Sequence, residues 1–255
     1  MGDPGGRENF LKKVFPSPRL SLPDNEDSPM PMPIAVLVSG AGSNLQAMID
    51  KIEAGILDAE IRIVISNKAD AYGLERARAH GVRWAVVDHR KYNSREAYDA
   101  ELVRIMREHG CQAVVLAGFM RILSPVLLQA FPGRVLNIHP ALLPSFPGVH
   151  GTGDAVDYAV RVSGCSVHFV DEKMDNGPLI IQAAVPVRPD DDQEALAERI
   201  LKFEHRIYPQ AIQWLAKGRL SVEGRKVAVK DAGEPLAAVD CEHHFIVNPP
   251  LEEGF

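Results

Sequence analysis

No apolar stretch in this sequence reaches the length needed to cross a membrane, and the opening MGDPGGRENFLKKVF lacks the apolar core of a signal peptide. No membrane role is expected, and a cytoplasmic location is. Cysteine is scarce: Cys111, Cys165 and Cys241 are odd in number, far apart and form no Cys-x-x-Cys pair. That argues against a disulfide framework or a zinc site and fits a reducing compartment. No other cluster with metal-ligand spacing is visible, so no metal is expected. Positive charge is also short, with 28 Lys and Arg against 34 Asp and Glu for a net charge of −6. A broad nucleic-acid footprint is therefore not expected, although a local basic pocket for one phosphate is compatible with the total.

What is present suits one soluble domain with tails: 255 residues, 46% hydrophobic and 24% charged. Residues 1–32 include PSPRLSLPDNEDSPMPMP, without usable periodicity, and read as a disordered leader. From Ile34 the character changes. Apolar runs (IAVLVS, EIRIVIS, WAVVD, CQAVVLAG, GRVLNIH) alternate with amphipathic segments (NLQAMIDKIEAG, GLERARAHG, SREAYDAELVRIMREHG), each stopped by glycine. This pattern predicts an α/β fold: a doubly wound, mostly parallel sheet with helices on both faces. GCSVHFV and LIIQAAVPV read as further strands with some antiparallel pairing, and QEALAERILKFEHRIYPQAIQWLAKG as a long helix. The domain is expected to span 33–220, followed by an extension over 221–255 that is ordered in part at most, with RKVAV as a short strand.

The first strand leads into SGAGSNLQ, residues 39–46. Gly40 and Gly42 permit a tight turn, and the unpaired N–H groups of the helix that follows attract phosphate. Ser43 and Asn44 add side-chain donors. The spacing is neither G-x-G-x-x-G nor a Walker A loop, which disfavours a dinucleotide or a nucleoside triphosphate. An ordinary turn with Ser43 or Asn44 as helix N-cap remains the alternative.

VLNIHPALLPSFPG, residues 135–148, carries a buried strand to Asn137 and His139. Period-two geometry puts both side chains on one face, at the strand end where ligands gather in such sheets. Pro140 biases His139 toward extended backbone. An imidazole that moves protons beside an amide that donates to a developing oxyanion suits acyl transfer. No nucleophilic Ser or Cys elbow accompanies them, so direct attack by a substrate amine is the expected route. A histidine satisfied by backbone at a sheet edge is the alternative. VDEKMDNGPLI supplies carboxylates in a polar turn; one held near His139 would orient it and raise its pKa. A solvated acidic turn is the plainer reading.

Taken together, VLVSGAGSNLQAMID, ISNKADAYGLERA, VVLAGFMRILSP, LNIHPALLPSFPG, GCSVHFVDEKMDNGPLIIQ and FEHRIYPQAI resemble, in order and over roughly residues 33–220, the folate-dependent formyltransferases, and among them those acting on glycinamide ribonucleotide. The resemblance implies formyl transfer from 10-formyltetrahydrofolate, as co-substrate, to the primary amine of that ribonucleotide. Asn137, His139 and Asp175 would then be catalytic, with Asp175 the acid that raises the pKa of His139. Gly42, Ser43 and Asn44 would hold the phosphate, and Glu204 the sugar hydroxyls. Folate would meet Arg95, Met120, Arg121, Ile122, Leu123, Asn137 and the loop Asp171, Glu172, Lys173, Met174 and Asp175. His168 is given no catalytic part, its strand position favouring structural support. VHGTGDAVDYAVRVSG matches the family only in general form, which leaves any role of His150 or Thr152 open.

Small-molecule substrates are implied, with a monomer or homodimer as the working unit. The rivals are formylation of methionyl-tRNA, which would call for a further nucleic-acid-binding domain, and deformylation of the folate, which would call for an N-terminal regulatory one. A non-enzymatic module binding a phosphorylated metabolite would leave Asn137, His139 and Asp175 unexplained.

Overall fold

The computed structural model describes residues 30–234 and 245–255, together with the backbone at 20–21, 236–239 and 244. Most of the leader expected over 1–32, and Cys241, lie outside the described residues. Among the described residues no helix is long and apolar enough to cross a membrane.

The chain runs β1 (Leu20–Ser21), β2 (Met32–Val38), α1 (Ser43–Glu53), β3 (Ala59–Ser66), α2 (Tyr72–Ala79), β4 (Trp84–Val86), α3 (Arg95–Glu108), β5 (Ala113–Leu116), α4 (Pro125–Ala130) and β6 (Val135–His139). It continues through α5 (Gly151–Asp157), β7 (Val162–Phe169), β8 (Leu179–Pro186), α6 (Gln193–Ala216), β9 (Leu220–Glu223), β10 (Lys226–Val229), β11 (Leu236–Val239) and β12 (His244–Asn248). The main sheet has the order β11-β12-β8-β7-β6-β5-β2-β3-β4, and β1-β9-β10 form a small one. From β4 to β6 every pairing is parallel; from β6 to β11 every pairing is antiparallel. The expected α/β architecture, with antiparallel strands added toward the C-terminal part, is what the chain adopts.

Side-chain alternation explains why these runs are apolar throughout. Ile34, Val36 and Val38 enter one core with Leu45 and Met48 of α1, Leu74 of α2 and Ile200, Phe203 and Trp214 of α6. Ala35 and Leu37 enter the other with Tyr98, Leu102 and Met106 of α3 and Leu127 of α4. Both faces of the central strands are thus covered, which a parallel sheet requires. Fully burying each large side chain contributes about 1.5–3 kcal/mol. α4 and α5, of 6 and 7 residues, are too short to show helical periodicity and were not legible as helices. Past residue 220, Val222 and Val247 belong to the first core.

The chain leaves β2 toward β3 and β4 on one side and later crosses to β5 and β6 on the other. That reversal opens a crevice at the C-terminal ends of β2 and β5, where ligands bind in open α/β sheets. The glycine turn follows β2, residues 117–124 follow β5, and Asn137 and His139 end β6.

Candidate active site

Asn137 and His139 stand two residues apart on β6 and line the same cavity. Behind them the chain is pinned from neighbouring strands. Ser166 of β7 donates its hydroxyl to the Ala141 carbonyl (2.7 Å) and accepts the N–H of Leu143 (3.0 Å), and Gln182 of β8 donates to the Leu143 carbonyl (3.1 Å). The strand end is therefore a fixed platform.

His139 is 4% exposed. Its Nε2 donates to the Phe146 carbonyl at 2.8 Å, since a carbonyl can only accept. That leaves Nδ1 facing Asp175, whose Oδ2 is 3.5 Å away. The same oxygen accepts the backbone N–H of Gly148 at 2.8 Å. The histidine and the acid are thus both tied to segment 146–148. Phe146 (φ 51°) and Asp175 (φ 50°) are non-glycine residues in the left-handed region. Such conformations cost about 1–3 kcal/mol each and gather at functional sites.

Asn137 is oriented by a residue that sequence reasoning assigned to structural support. His168, directly across the β6–β7 ladder, donates from Nδ1 to the Phe169 carbonyl (2.9 Å), so its neutral Nε2 accepts from the Asn137 amide (3.2 Å). One amide hydrogen is thereby engaged, and the amide nitrogen is fixed as the group that carries the second. Burial holds the pKa of His168 below the usual imidazole value, while Asp175 (Oδ1 at 3.8 Å) opposes the shift.

The cavity has a volume of about 300 Å³. Met120, Arg121, Ile122 and Leu123 form one wall, and Asp171, Lys173, Met174 and Asp175 another, with Asn137, His139 and His168 at the base. Asp171 shapes its own loop, accepting the Lys173 N–H (2.9 Å) and the Asn176 amide (2.7 Å). Gly177 follows, and any side chain there would collide with the Phe169 carbonyl. Two expected folate contacts are not brought in. Arg95 is exposed at the first position of α3, its charge felt at Asp99, and Glu172 is exposed; neither lines the cavity.

The residues expected on the ribonucleotide side gather at a second locus. Gly42 caps α1 at φ 68°, with no side-chain cap bond and no acid in the first turn. The N-cap alternative for Ser43 and Asn44 thus falls away, and the first N–H groups of α1 receive no side-chain cap. A Cβ on Gly42 would lie 2.7 Å from the Gly73 backbone, so two glycines cross here. Asn44 donates to Glu204 Oε2 at 2.8 Å, while its own Oδ1 is buried without a partner. Glu204, 7% exposed, has its pKa raised by burial against the lowering effect of Asn44. Four residues along the same helix, the Tyr208 hydroxyl bridges the carbonyls of Leu116 and Leu136 (both 2.9 Å), next to the Asn137 platform.

His168 and the backbone of Phe146 and Gly148 complete this arrangement, and so does Ser39, whose hydroxyl accepts the N–H of Met120 (2.9 Å); none announces itself in the sequence. Cross-strand register selects the first, and turn geometry the others. Among the described residues, no group of three or more His, Cys, Asp or Glu is placed to hold a metal.

Comparison with known proteins bears on this geometry. Residues 32–212 match the formyl transferase family model. The chain is 48% identical over 191 residues to phosphoribosylglycinamide formyltransferase of Escherichia coli K12, covering 75% of this chain and 90% of that protein. It is 49% identical over 202 residues to the trifunctional purine biosynthetic protein adenosine-3 of Drosophila pseudoobscura pseudoobscura, 78% of this chain but 15% of that much longer one. A crystal structure of glycinamide ribonucleotide transformylase 1 from Symbiobacterium toebii superposes with a TM-score of 0.78 at 50% identity, covering 79% of this chain and 95% of that one. The chain belongs to the formyl transferase family.

Proposed function

We propose that this chain transfers the formyl group of 10-formyltetrahydrofolate to the primary amine of glycinamide ribonucleotide. The observation that carries the reading is the meeting of Asn137, His139 and Asp175 at one cavity, in a chain 48% identical to a phosphoribosylglycinamide formyltransferase. The pterin enters between Met120–Leu123 and loop 171–175, where apolar side chains and exposed backbone suit a flat, polar-edged ring. The phosphate sits on the N–H groups that open α1, and Glu204 accepts from the sugar hydroxyls.

Held this way, the amine nitrogen attacks the formyl carbon at near-attack distance. The carbonyl π electrons move to oxygen, and the free Asn137 N–H stabilises that oxyanion. The bond from the formyl carbon to the folate nitrogen then breaks, the amine loses one proton, and the folate nitrogen gains one. With Nε2 committed to Phe146, Nδ1 of His139 is the nitrogen that exchanges a proton, and Asp175 offsets the charge that protonation creates there. The reaction runs in the cytoplasm on small molecules, with the chain as a monomer or homodimer.

The test is to supply 10-formyltetrahydrofolate to the purified chain with glycinamide ribonucleotide, with water alone, or with charged methionyl-tRNA. Formylated glycinamide product in the first mixture and no turnover in the others is expected. Formate release with water alone, or formylation of the tRNA, would replace this reading.

A further inference from the structure

Ser39 directly follows β2 at the point where the sheet order reverses, between the turn that opens α1 and the loop that forms the folate-side wall. It is 4% exposed, and both its hydroxyl and its N–H are committed. Its hydroxyl donates to Asn67 Oδ1 (2.6 Å), in the turn after β3, and accepts the N–H of Met120 (2.9 Å), the first of the four wall residues. Its own N–H donates to the Gly118 carbonyl (3.1 Å). On the other side the chain passes at once into the glycine turn: Gly40 accepts the N–H of Gly73 (3.0 Å), and Gly42 caps α1. One small buried side chain therefore joins the turn that would hold phosphate to the loop that would hold pterin. The described side chains provide no comparable brace between these two loops.

We propose that Ser39 is a positioning residue that couples the two substrate subsites, so that ordering one loop by its ligand presets the other. The inference rests on the formyl-transfer reading above. The physical reason is economy of bonds. The hydroxyl has one proton and gives it to Asn67, which aims its lone pairs at Met120, and rotation of that hydroxyl in either loop's rearrangement breaks both bonds together. A ligand that fixes Gly40–Asn44 holds Ser39 in the orientation that keeps Met120 in place, and the linkage runs equally in the other direction.

The test uses the full-length chain and a dead-end ternary complex. Glycinamide ribonucleotide is titrated by calorimetry with and without saturating tetrahydrofolate, which carries no formyl group and cannot react. The wild-type chain should bind the ribonucleotide on the order of fivefold or more tightly with the folate present, a typical coupling size. Ser39→Ala should bring that factor close to one, with each separate affinity reduced much less than the coupling. A simple loss of stability would weaken both affinities and leave their ratio unchanged. Thermal melting checks that the variant is folded; if it is not, Asn67→Ala, which removes only the acceptor of the Ser39 proton, should lower the factor in its place. A wild-type factor of one with both ligands bound would overturn the proposal, and so would a wild-type factor in the folded variant. Failure of either ligand to bind the wild-type chain would instead overturn the functional reading beneath it.

Discussion

His139 presents Nδ1, not Nε2, to Asp175, because Nε2 is held by the Phe146 carbonyl at 2.8 Å while Nδ1 lies 3.5 Å from Asp175 Oδ2. The carboxylate is itself anchored by the Gly148 N–H. The two side chains are thus held as one unit, with Nδ1 the nitrogen that the proposed mechanism uses to exchange a proton. His139→Ala and Asp175→Asn should each lower kcat by about 10²–10⁴-fold, the usual scale for a positioned acid–base group. The double variant should be little slower than the worse single one, since groups acting together are not additive. Steady-state kinetics with both substrates saturating checks this; multiplicative losses would show that they act separately.

Glu204, placed in the proposal on the sugar hydroxyls, is held in the fold at a cost in stability at neutral pH. Burial raises its folded-state pKa above the ordinary carboxylate value. For an acid shifted upward, the native state binds more protons than the unfolded chain between the two pKa values. Stability is therefore fullest below the unfolded pKa of about 4.3 and falls as pH rises through the raised one. Glu204→Gln should melt no lower than wild type at neutral pH, and should lose this part of the pH dependence. Its KM for the ribonucleotide should rise, because an amide offers one neutral accepting oxygen and a donor where a carboxylate offers two charged acceptors. Melting curves from pH 4 to 8, beside KM values for both substrates, separate the two effects.

Acid should weaken the fold through the buried His168 and the half-buried His89 and His205. Desolvation is the leading cause of the lowered pKa at His168, His89 and His205 alike. The native state then binds fewer protons than the unfolded chain, so the stability from keeping them neutral is present above about pH 6.5 and lost as pH falls below it. The melting temperature should drop between pH 7 and 5.5. His168→Gln should flatten part of that drop and, by releasing the Asn137 amide, lower kcat more than either KM.

At the glycine crossing the prediction is steric. Gly42→Ala would place a methyl 2.7 Å from the Gly73 backbone at φ 68°, where an L side chain alone costs about 1–2 kcal/mol. The variant should melt lower and lose ribonucleotide affinity, with a smaller effect on folate. Equal losses for both substrates would mean that the turn does not belong to the phosphate side.

The sequence made the sheet readable because a strand covered on both faces must be apolar throughout, as Ile34–Val38 and Ala113–Leu116 are, and because glycines such as Gly55 and Gly110 stop the helices. Asn137 and His139 were legible as a pair because period-two geometry needs only one strand. Asp175 required the family resemblance, since nothing in a polar turn tells which of three acids, Asp171, Glu172 or Asp175, points inward. His168 was placed as support for want of register: only the pairing of β6 with β7 sets it opposite Asn137. Arg95 came from the family resemblance, and its position at the start of α3 leaves it outside the cavity walls. Ser39 was hidden altogether. Its partners come from 28 and 81 residues away, and no local pattern marks such contacts.

The most direct measurement follows a labelled formyl group in a single turnover. Wild-type chain and Asn137→Ala are mixed with formyl-labelled 10-formyltetrahydrofolate and glycinamide ribonucleotide, both saturating, and the label is followed to the glycinamide nitrogen. Wild type should transfer it completely, and Asn137→Ala, still binding both substrates, should do so about 10²–10³-fold more slowly, the loss expected for one oxyanion donor. Transfer at the wild-type rate by the variant would contradict the account, because the chemistry would then take place without the amide on which the cavity is built.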